Sequence, residues 1–368
     1  MDLKNKSKMI LFKKVTPRFI LSVHQYFLVI IIVTFITGCN SDKKIPNVSN
    51  IKIDITTERF EKDFFSMDTT DIDNSIQHLY EKYPTFTIDY FHNILAAAPQ
   101  VDSIIKTIKH FRADYNQIYI DAEKQFGNFS SFENEIKQGF QFVKYYFPDY
   151  KLPHKLITYI GTWDAMIMLS NNSGGSGCIR ISEDAMGIGL QLSMGTNYPM
   201  YKDEIMQQFY PYFISRKFDK AYISTNVLKV IIDDLYPHKN TGSSLIEQMI
   251  DAGKRLYLLD AFLPYTADTL KTGYTEQQLK GCYENEATIW SYFVTNNLLY
   301  QTEASIIMEF LNDGPKTAAL GDGSPGFIGQ FTGWQIVKQW MKKNKEKTLL
   351  DLLKTPSKTI FEQAKYKP

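Results

Sequence analysis

The sequence predicts an α+β fold that is predominantly helical, with a small antiparallel sheet at about residues 155–195 flanked by helices. Apolar residues recur at helical spacing before residue 150 and after residue 200. Between these regions, short apolar runs alternate with glycine-rich turns, which is typical of strands. Hydrophobic residues make up 44% of the 368 residues and charged residues 22%, a composition typical of folded proteins.

The first 38 residues have the pattern of a secretory signal peptide. The basic stretch Lys4–Arg18 precedes the apolar run Tyr26–Ile36. As a helix, this run rises about 16 Å, whereas a hydrocarbon core is about 30 Å thick. Cys39 follows Ile36-Thr37-Gly38 directly and resembles the lipobox of bacterial lipoproteins, whose cysteine thiol carries a diacylglyceryl group.

We therefore predict a signal peptide over residues 1–38 and a lipidated Cys39 that begins a polar tether over residues 39–50. Attached acyl chains would hold the protein on a membrane. The predicted location is the cell envelope, with the chain membrane-anchored and facing the periplasm. The pattern leaves open whether the inner or the outer membrane receives the anchor. An uncleaved N-terminal anchor that happens to contain a cysteine is the alternative.

The charge of the chain is unevenly distributed. The formal net charge is +1, but residues 1–39 hold six basic residues and one acidic residue. Without them, 35 basic and 39 acidic residues remain, a net charge of −4. Nucleic-acid-binding proteins usually carry a basic excess, so no nucleic-acid partner is predicted.

Residues 51–368 are predicted to form a single α+β domain. The alternation in Ile51–Ile55 indicates a short strand. Helices are predicted over Asp71–Tyr83, Ile88–Ala97, Asp102–Phe126 and Ser131–Tyr146. Strands are predicted over Leu156–Ile160, Cys178–Ile181 and Ile188–Leu192, with a turn at Asn171–Gly177. Later helices are predicted over Glu204–Phe213, Asn226–Leu235, Ser244–Leu259, Glu276–Asn297, Glu303–Leu311, Gly333–Lys343 and Thr348–Leu353.

The motifs of common enzymes are missing from the sequence. It contains no HExxH zinc-peptidase motif and no Cys-x-x-Cys spacing, and Gly174–Gly177 lacks the P-loop spacing. We predict no catalytic residue, no metal ligand and no cofactor. Glu284 and Glu286 are weak candidates for a cleft because they precede Trp290 on an aromatic helix, although acidic pairs of this kind usually lie on solvated faces.

Cys178 and Cys282 are the thiols of the mature chain besides Cys39. In an oxidising envelope they could form a disulfide. The alternative is two separate buried thiols.

Four segments carry a family resemblance, and the last two are the most specific: Tyr210–Phe218, Tyr222–Asn226, Leu245–Pro264 and Ser324–Val337. With the lipobox, they resemble the gliding-motility lipoprotein GldB family of Bacteroidetes, over residues 36 to about 356. The resemblance implies a lipoprotein needed for surface gliding and associated with type IX protein secretion.

That family is also distantly similar to zinc-peptidase-like proteins of the gluzincin type. In that comparison, the helix Asn226–Leu235 would lie where an active enzyme carries HExxH, but it contains no histidine. The later helix has Ala252 before Gly253, where a metal-binding glutamate would stand. Because a catalytic zinc needs three such ligands, the resemblance implies a zincin-like core without the metal motif.

The expected function is that of an envelope lipoprotein acting without catalysis, through contacts with other gliding or secretion machinery proteins. One alternative is a degenerate or unconventional envelope hydrolase that uses Glu284 or Glu286. Another is a peptide- or glycan-binding module built on an inactive peptidase fold.

Overall fold

A computed structural model of the chain describes residues 45–163, 177–238 and 242–368. The predicted signal peptide, Cys39 and the first half of the tether lie outside these residues, as does most of the turn at 171–177. Asn47–Pro368 forms one compact unit. In the part of the chain that the structure describes, no helix is both long enough and apolar enough to cross a membrane.

The sheet has four strands in the order β1-β2-β4-β3. The strands are β1 Thr56–Arg59, β2 Lys155–Tyr159, β3 Cys178–Arg180 and β4 Ala185–Gly189. Strand β2 pairs in parallel with β1 and with β4, and only β3 and β4 are antiparallel. The central strand β2 is buried along all but its first residue, as expected for a strand with neighbours on both edges and cover on both faces.

Helices of the first half of the chain cover this sheet. They are α1 Phe60–Ser66, α2 Ile72–Lys82, α3 Pro84–Asp89, α4 Val101–Phe126 and α5 Ser130–Tyr146, and Tyr90–Ile94 forms a π-helical turn. Phe60 packs edge-on against Phe86 and Tyr90, with ring centroids 4.8 and 4.6 Å away. The Tyr90 hydroxyl donates to the carbonyl oxygen of Ile160 at 2.7 Å, which ties this aromatic cluster to the end of β2.

The second half of the chain is helical. Its helices are α6 Glu204–Phe209, α7 Tyr212–Ser215, α8 Ile223–Leu235, α9 Leu245–Phe262, α10 Asp268–Thr272, α11 Glu276–Glu284, α12 Glu286–Thr295, α13 Ala304–Leu311, α14 Ile328–Lys343, α15 Leu349–Lys354 and α16 Ser357–Ala364. Helix α8 joins the two halves, because it packs on α5, β3 and β4 and also on α9.

Helices α9 and α14 cross with their backbones in direct contact. A Cβ atom added to Gly333 would overlap the carbonyl oxygen of Met249, and one added to Gly253 would overlap the backbone of Gly333. Only glycine allows this approach. Trp334, beside the crossing, is fully buried, and its indole N–H donates to Asp260 at 2.7 Å.

The prediction of a predominantly helical α+β fold with a small sheet is confirmed. The predicted antiparallel pairing is found between β3 and β4, but the sheet is mixed, because crossover connections bring β1, β2 and β4 into parallel pairs. The predicted strand Ile51–Ile55 is also displaced, since the ladder with β2 begins at Thr56.

Two long helix predictions are each divided in the structure. Pro211 separates α6 from α7, because proline has no backbone N–H to continue the helix. Asn285 separates α11 from α12. Helix α16 lies beyond the last predicted helix.

The helix crossing gives a test of the packing. We expect Gly333→Ala to lower the free energy of unfolding by about 2–4 kcal/mol, because the helices must separate to admit the methyl group. Gly281 of α11 is the matched control, since a Cβ atom there would meet nothing within 4 Å. Gly281→Ala should raise stability by up to about 1 kcal/mol through helix propensity. Urea unfolding of the purified variants measures both, and equal effects would contradict the crossing.

Candidate functional site

A cavity in the described residues lies between α8 and α9. Its volume is about 180 Å³. The segment before α8, the end of α10 and the start of α14 complete its walls. The lining residues are Ile214, Lys217, Phe218, Tyr222, Asn226, Lys229, Ile232, Asp233, His238, Ala252, Arg255, Leu256, Leu259, Lys271, Thr272, Gly273, Phe327 and Gln330.

The two helices each present one face to the cavity. On α9, the lining residues Ala252, Arg255, Leu256 and Leu259 follow the spacing i, i+3, i+4, i+7, which places them on a single stripe. On α8, the lining residues recur at intervals of three and four in the same way, from Asn226 to Asp233. Gly253 lies on another face of α9, toward α14, so the glycine crossing and the cavity use different sides of the same helix.

One cation of the lining, Lys217, is neutralised by a carboxylate behind it. Its Nζ forms an ion pair with Asp313, and both side chains are about one-fifth exposed. The ammonium also lies 5.7 Å from the centroid of the Phe327 ring. Burial lowers the pKa of Lys217 below its usual value despite the opposing effect of Asp313.

A second cation, Arg255, is neutralised from within the cavity wall. Its Nη1 donates to Asp233 at 2.7 Å, and its Nη2 donates to the carbonyl oxygen of Tyr236 at 2.6 Å. Its Nε is buried and has no hydrogen-bond partner in the described residues. His238 Nε2 lies 3.5 Å from the same Asp233 carboxylate. Asp233 is therefore already shared between two basic groups.

A third cation, Lys271, lies between two carboxylates. Its Nζ donates to Asp260 at 3.0 Å and to Asp268 at 3.1 Å. Asp260 also accepts the hydrogen bond from Trp334. Burial raises the pKa of Asp260, and Lys271 opposes this shift.

Lys229 is different from these three. Within the described residues, its ammonium group forms no hydrogen bond and no ion pair. The side chain is half-buried and lines the cavity. Burial, and after it the positive charge of Lys217, lower the pKa of Lys229 to about 8 against the opposing effects of Asp313 and Asp233. A cation without a partner therefore faces an otherwise largely apolar space.

This arrangement favours binding of an anion over a divalent cation. The Lys229 ammonium, which no carboxylate of the described residues neutralises, attracts an anion and repels a metal ion. Among the described residues, no group of three or more His, Cys, Asp or Glu side chains is placed to hold a metal ion. The helix Asn226–Leu235 and Ala252, which the resemblance aligned with metal-binding positions, both contribute to this cavity.

The cysteines are not joined in the structure. Cys178 begins β3 and Cys282 lies in α11, and both are buried thiols. Burial raises the pKa of each thiol to about 12. Disulfide exchange requires a thiolate, and these thiols remain protonated at neutral pH.

The two candidate glutamates lie away from the cavity. Glu284 is exposed at the end of α11, and its carboxylate lies 3.7 Å from Lys280. Glu286 begins α12, accepts a hydrogen bond from the Tyr366 hydroxyl and borders a shallow pocket near the C-terminus with Lys338. Cys39 lies outside the described residues.

Sequence reasoning overlooked Lys229. A lone lysine on a helix is usually solvated, and no motif includes this one. The available signal was its position inside the apolar run Val227-Leu228-Lys229-Val230-Ile231-Ile232. A single charge at the centre of such a run is expected to be at least partly buried.

The comparisons with known proteins give a single family. The family model described as gliding motility protein GldB matches residues 41–368. Neither a curated protein nor a solved structure matches the chain.

The unpaired ammonium gives a test by unfolding. We expect Lys229→Met to raise the free energy of unfolding at pH 7 by on the order of 2 kcal/mol, because it removes a half-buried charge. The pKa of Lys229 is lower in the folded state, about 8 against 10.5, so the unfolded chain binds more protons between these values. Wild-type stability should therefore rise relative to the variant across this range. Urea unfolding at pH 7, 9 and 10 measures the difference. A difference in stability between the wild type and the variant that does not change with pH would contradict the lowered pKa of Lys229.

Proposed function

The chain belongs to the gliding motility protein GldB family, and from that premise we propose a lipid-anchored envelope protein that acts through protein contacts, without catalysis. The family makes it a lipoprotein related to gliding motility, located in the cell envelope. The proposal adds lipidation at Cys39, an orientation toward the periplasm and contacts with other gliding or type IX secretion proteins.

The position of the family match supports lipidation at Cys39. The match begins at residue 41, two residues after the cysteine that follows the apolar run. Each buried methylene of an acyl chain contributes about 0.8 kcal/mol, so two or more chains give stable membrane attachment. Anchoring would leave the body that begins at Asn47 close to the membrane, joined to it by a short polar tether.

The charge of the cavity supports a function without catalysis. An active zinc peptidase would hold its metal at the helix corresponding to α8 and at the position of Ala252. Here α8 contributes Lys229 and Asn226 to the cavity wall, and α9 contributes Arg255. The hydrolase alternative depended on Glu284 and Glu286, and neither carboxylate lines this cavity.

The observation that carries the proposal of protein contacts is the exposed apolar side of α6. Ile205 and Phe209, four residues apart, are 64% and 54% exposed. They lie on one face of the helix, whereas Met206 faces inward and is buried. An exposed apolar pair bordered by exposed polar residues, here Glu204 and Gln208, is typical of a protein-binding surface.

Neighbouring residues extend this surface. Met200 and Tyr212 are also exposed and lie just before and just after α6. The helix is held in place by Asp203, whose carboxylate accepts from the backbone N–H groups of Ile205 and Met206 at 2.9 and 3.3 Å. We refer to Met200, Ile205, Phe209 and Tyr212 as the α6 surface, and we infer that an apolar patch of a gliding or secretion protein covers it.

Charged substitutions test the α6 surface. In a strain lacking the gene, the double variant Ile205→Asp, Phe209→Asp should fail to restore colony spreading, because a carboxylate is costly to bury in an apolar interface. Val101→Asp is the matched control, since Val101 is 61% exposed at the start of α4. Protein amount and unfolding midpoint should be unchanged in both. Normal spreading by the double variant would exclude the surface.

Membrane fractionation tests the anchor. Cys39→Ala should move the protein from the membrane fraction to the soluble fraction, because the acylated thiol is lost. Cys282→Ala, which changes a buried thiol of α11, should leave the protein in the membrane fraction. Full membrane retention of the Cys39→Ala protein would contradict lipid anchoring at this position.

A further inference from the structure

The basic residues that line the cavity between α8 and α9 differ in whether a carboxylate neutralises them. Lys217 is paired with Asp313, and Lys271 is held between Asp260 and Asp268. Arg255 is paired with Asp233. No carboxylate of the described residues lies within 4 Å of the Lys229 ammonium.

The groups around Lys229 do not supply the missing negative charge. The charged and titratable side chains that share the cavity with it are Lys217, Tyr222, Asp233, His238, Arg255 and Lys271, with Asp313 behind Lys217 and with Asp260 and Asp268 behind Lys271. Asp233 already accepts from Arg255 at 2.7 Å. Asp313 is occupied by Lys217, and Asp260 and Asp268 are occupied by Lys271. The Lys229 ammonium is therefore left facing the open space without a carboxylate partner among the described residues.

We propose that this cavity binds a small apolar carboxylate, whose carboxylate group accepts hydrogen bonds from the Lys229 ammonium. A bond between an ammonium and a carboxylate is among the stronger hydrogen bonds in proteins. Lys217 is the neighbouring cation of the wall. Its ammonium has three N–H donors, and the ion pair with Asp313 leaves part of this donor capacity unused.

A carboxylate fits better than a phosphate. Lys229 is the lining cation that no carboxylate of the described residues pairs with, and Asp233 of the same wall is already paired with Arg255. The single charge of a carboxylate matches this one ammonium, whereas a dianionic phosphate would bring more negative charge than it can neutralise.

The remaining walls are apolar and therefore favour a ligand with an apolar group next to its carboxylate. Ile214, Phe218, Ile232, Leu256, Leu259 and Phe327 line the same space. The volume of about 180 Å³ is close to that of an engineered cavity of about 150 Å³ that binds benzene. The side chain of leucine or phenylalanine has this size. The shared chemistry is thus a carboxylate on a leucine-like body, supplied by a free acid or by a peptide C-terminus.

The inference does not depend on the α6 surface or on the anchor. A loss of carboxylate binding leaves the contacts of Ile205 and Phe209 untouched, and a loss of spreading in the α6 variants leaves this cavity intact. The two proposals therefore fail in different experiments.

Calorimetric titration of the purified full-length protein, in buffer free of phosphate and acetate, tests the inference. The probes are 4-methylpentanoate for the free-acid source and an N-acetylated tripeptide ending in leucine for the peptide source. At least one of the two probes should bind. The corresponding compound with a neutral amide in place of the carboxylate should bind at least about tenfold more weakly. Affinity should fall as the pH rises through about 8, the pKa of Lys229.

Two variants keep the test decisive. The Lys229→Met variant should bind the carboxylate at least about tenfold more weakly, because the ammonium that donates to it is lost. The variant should remain folded, because the substitution removes an unpaired charge. Lys220→Met, which changes an exposed lysine just before α8, should bind as the wild type does. The inference is overturned if neither carboxylate binds, if the amides bind equally well, if Lys229→Met binds like the wild type, or if inorganic phosphate competes as strongly as the carboxylate.

Discussion

The close crossing of α9 and α14 at Gly253 and Gly333 is the constraint on which the functional half of the molecule depends. Because two backbones touch there, α9 cannot rotate about its axis without a steric overlap at Met249. With α9 fixed, Arg255 and Leu256 must face α8, and the space between the helices becomes the cavity. The two segments that most strongly suggested the family, 245–264 and 324–337, cover α9 and the first part of α14. Their sequence similarity to the family is therefore explained by packing at least as well as by chemistry.

The cavity that results holds a lysine without a carboxylate partner. Within the described residues, three of its cations are each paired with aspartates, and Lys229 is not. A charge in this state destabilises the folded protein, and a bound anion would offset that effect. The packing of α8 on α9 therefore brings an unpaired ammonium and an apolar wall to one space.

Local sequence patterns predicted the long helices well, because α4, α5 and α9 carry apolar residues at helical spacing that face the core. They could not predict the parallel pairing of β1 with β2, since Thr57 and Leu156 become partners only through the packing of five intervening helices. The cavity was hidden for the same reason, because its walls come from segments between residues 214 and 330. Asn226–Leu235 and Ala252 were singled out only as positions lacking metal ligands, and Lys229 was passed over. Glu284 and Glu286 were chosen as candidates because they precede Trp290. A nearby tryptophan in the sequence does not show whether a carboxylate is buried.

The central claim is that this envelope protein works by contact, through the α6 surface. The most direct measurement is crosslinking in gliding cells, with a photoreactive amino acid placed at position 205 and, as a control, at the equally exposed position 101. The account predicts that irradiation at position 205 joins the protein to a component of the gliding or secretion machinery, identified by mass spectrometry. No such adduct should form from position 101. Normal gliding without an adduct from position 205, or the same adduct in equal amount from both positions, would contradict the claim.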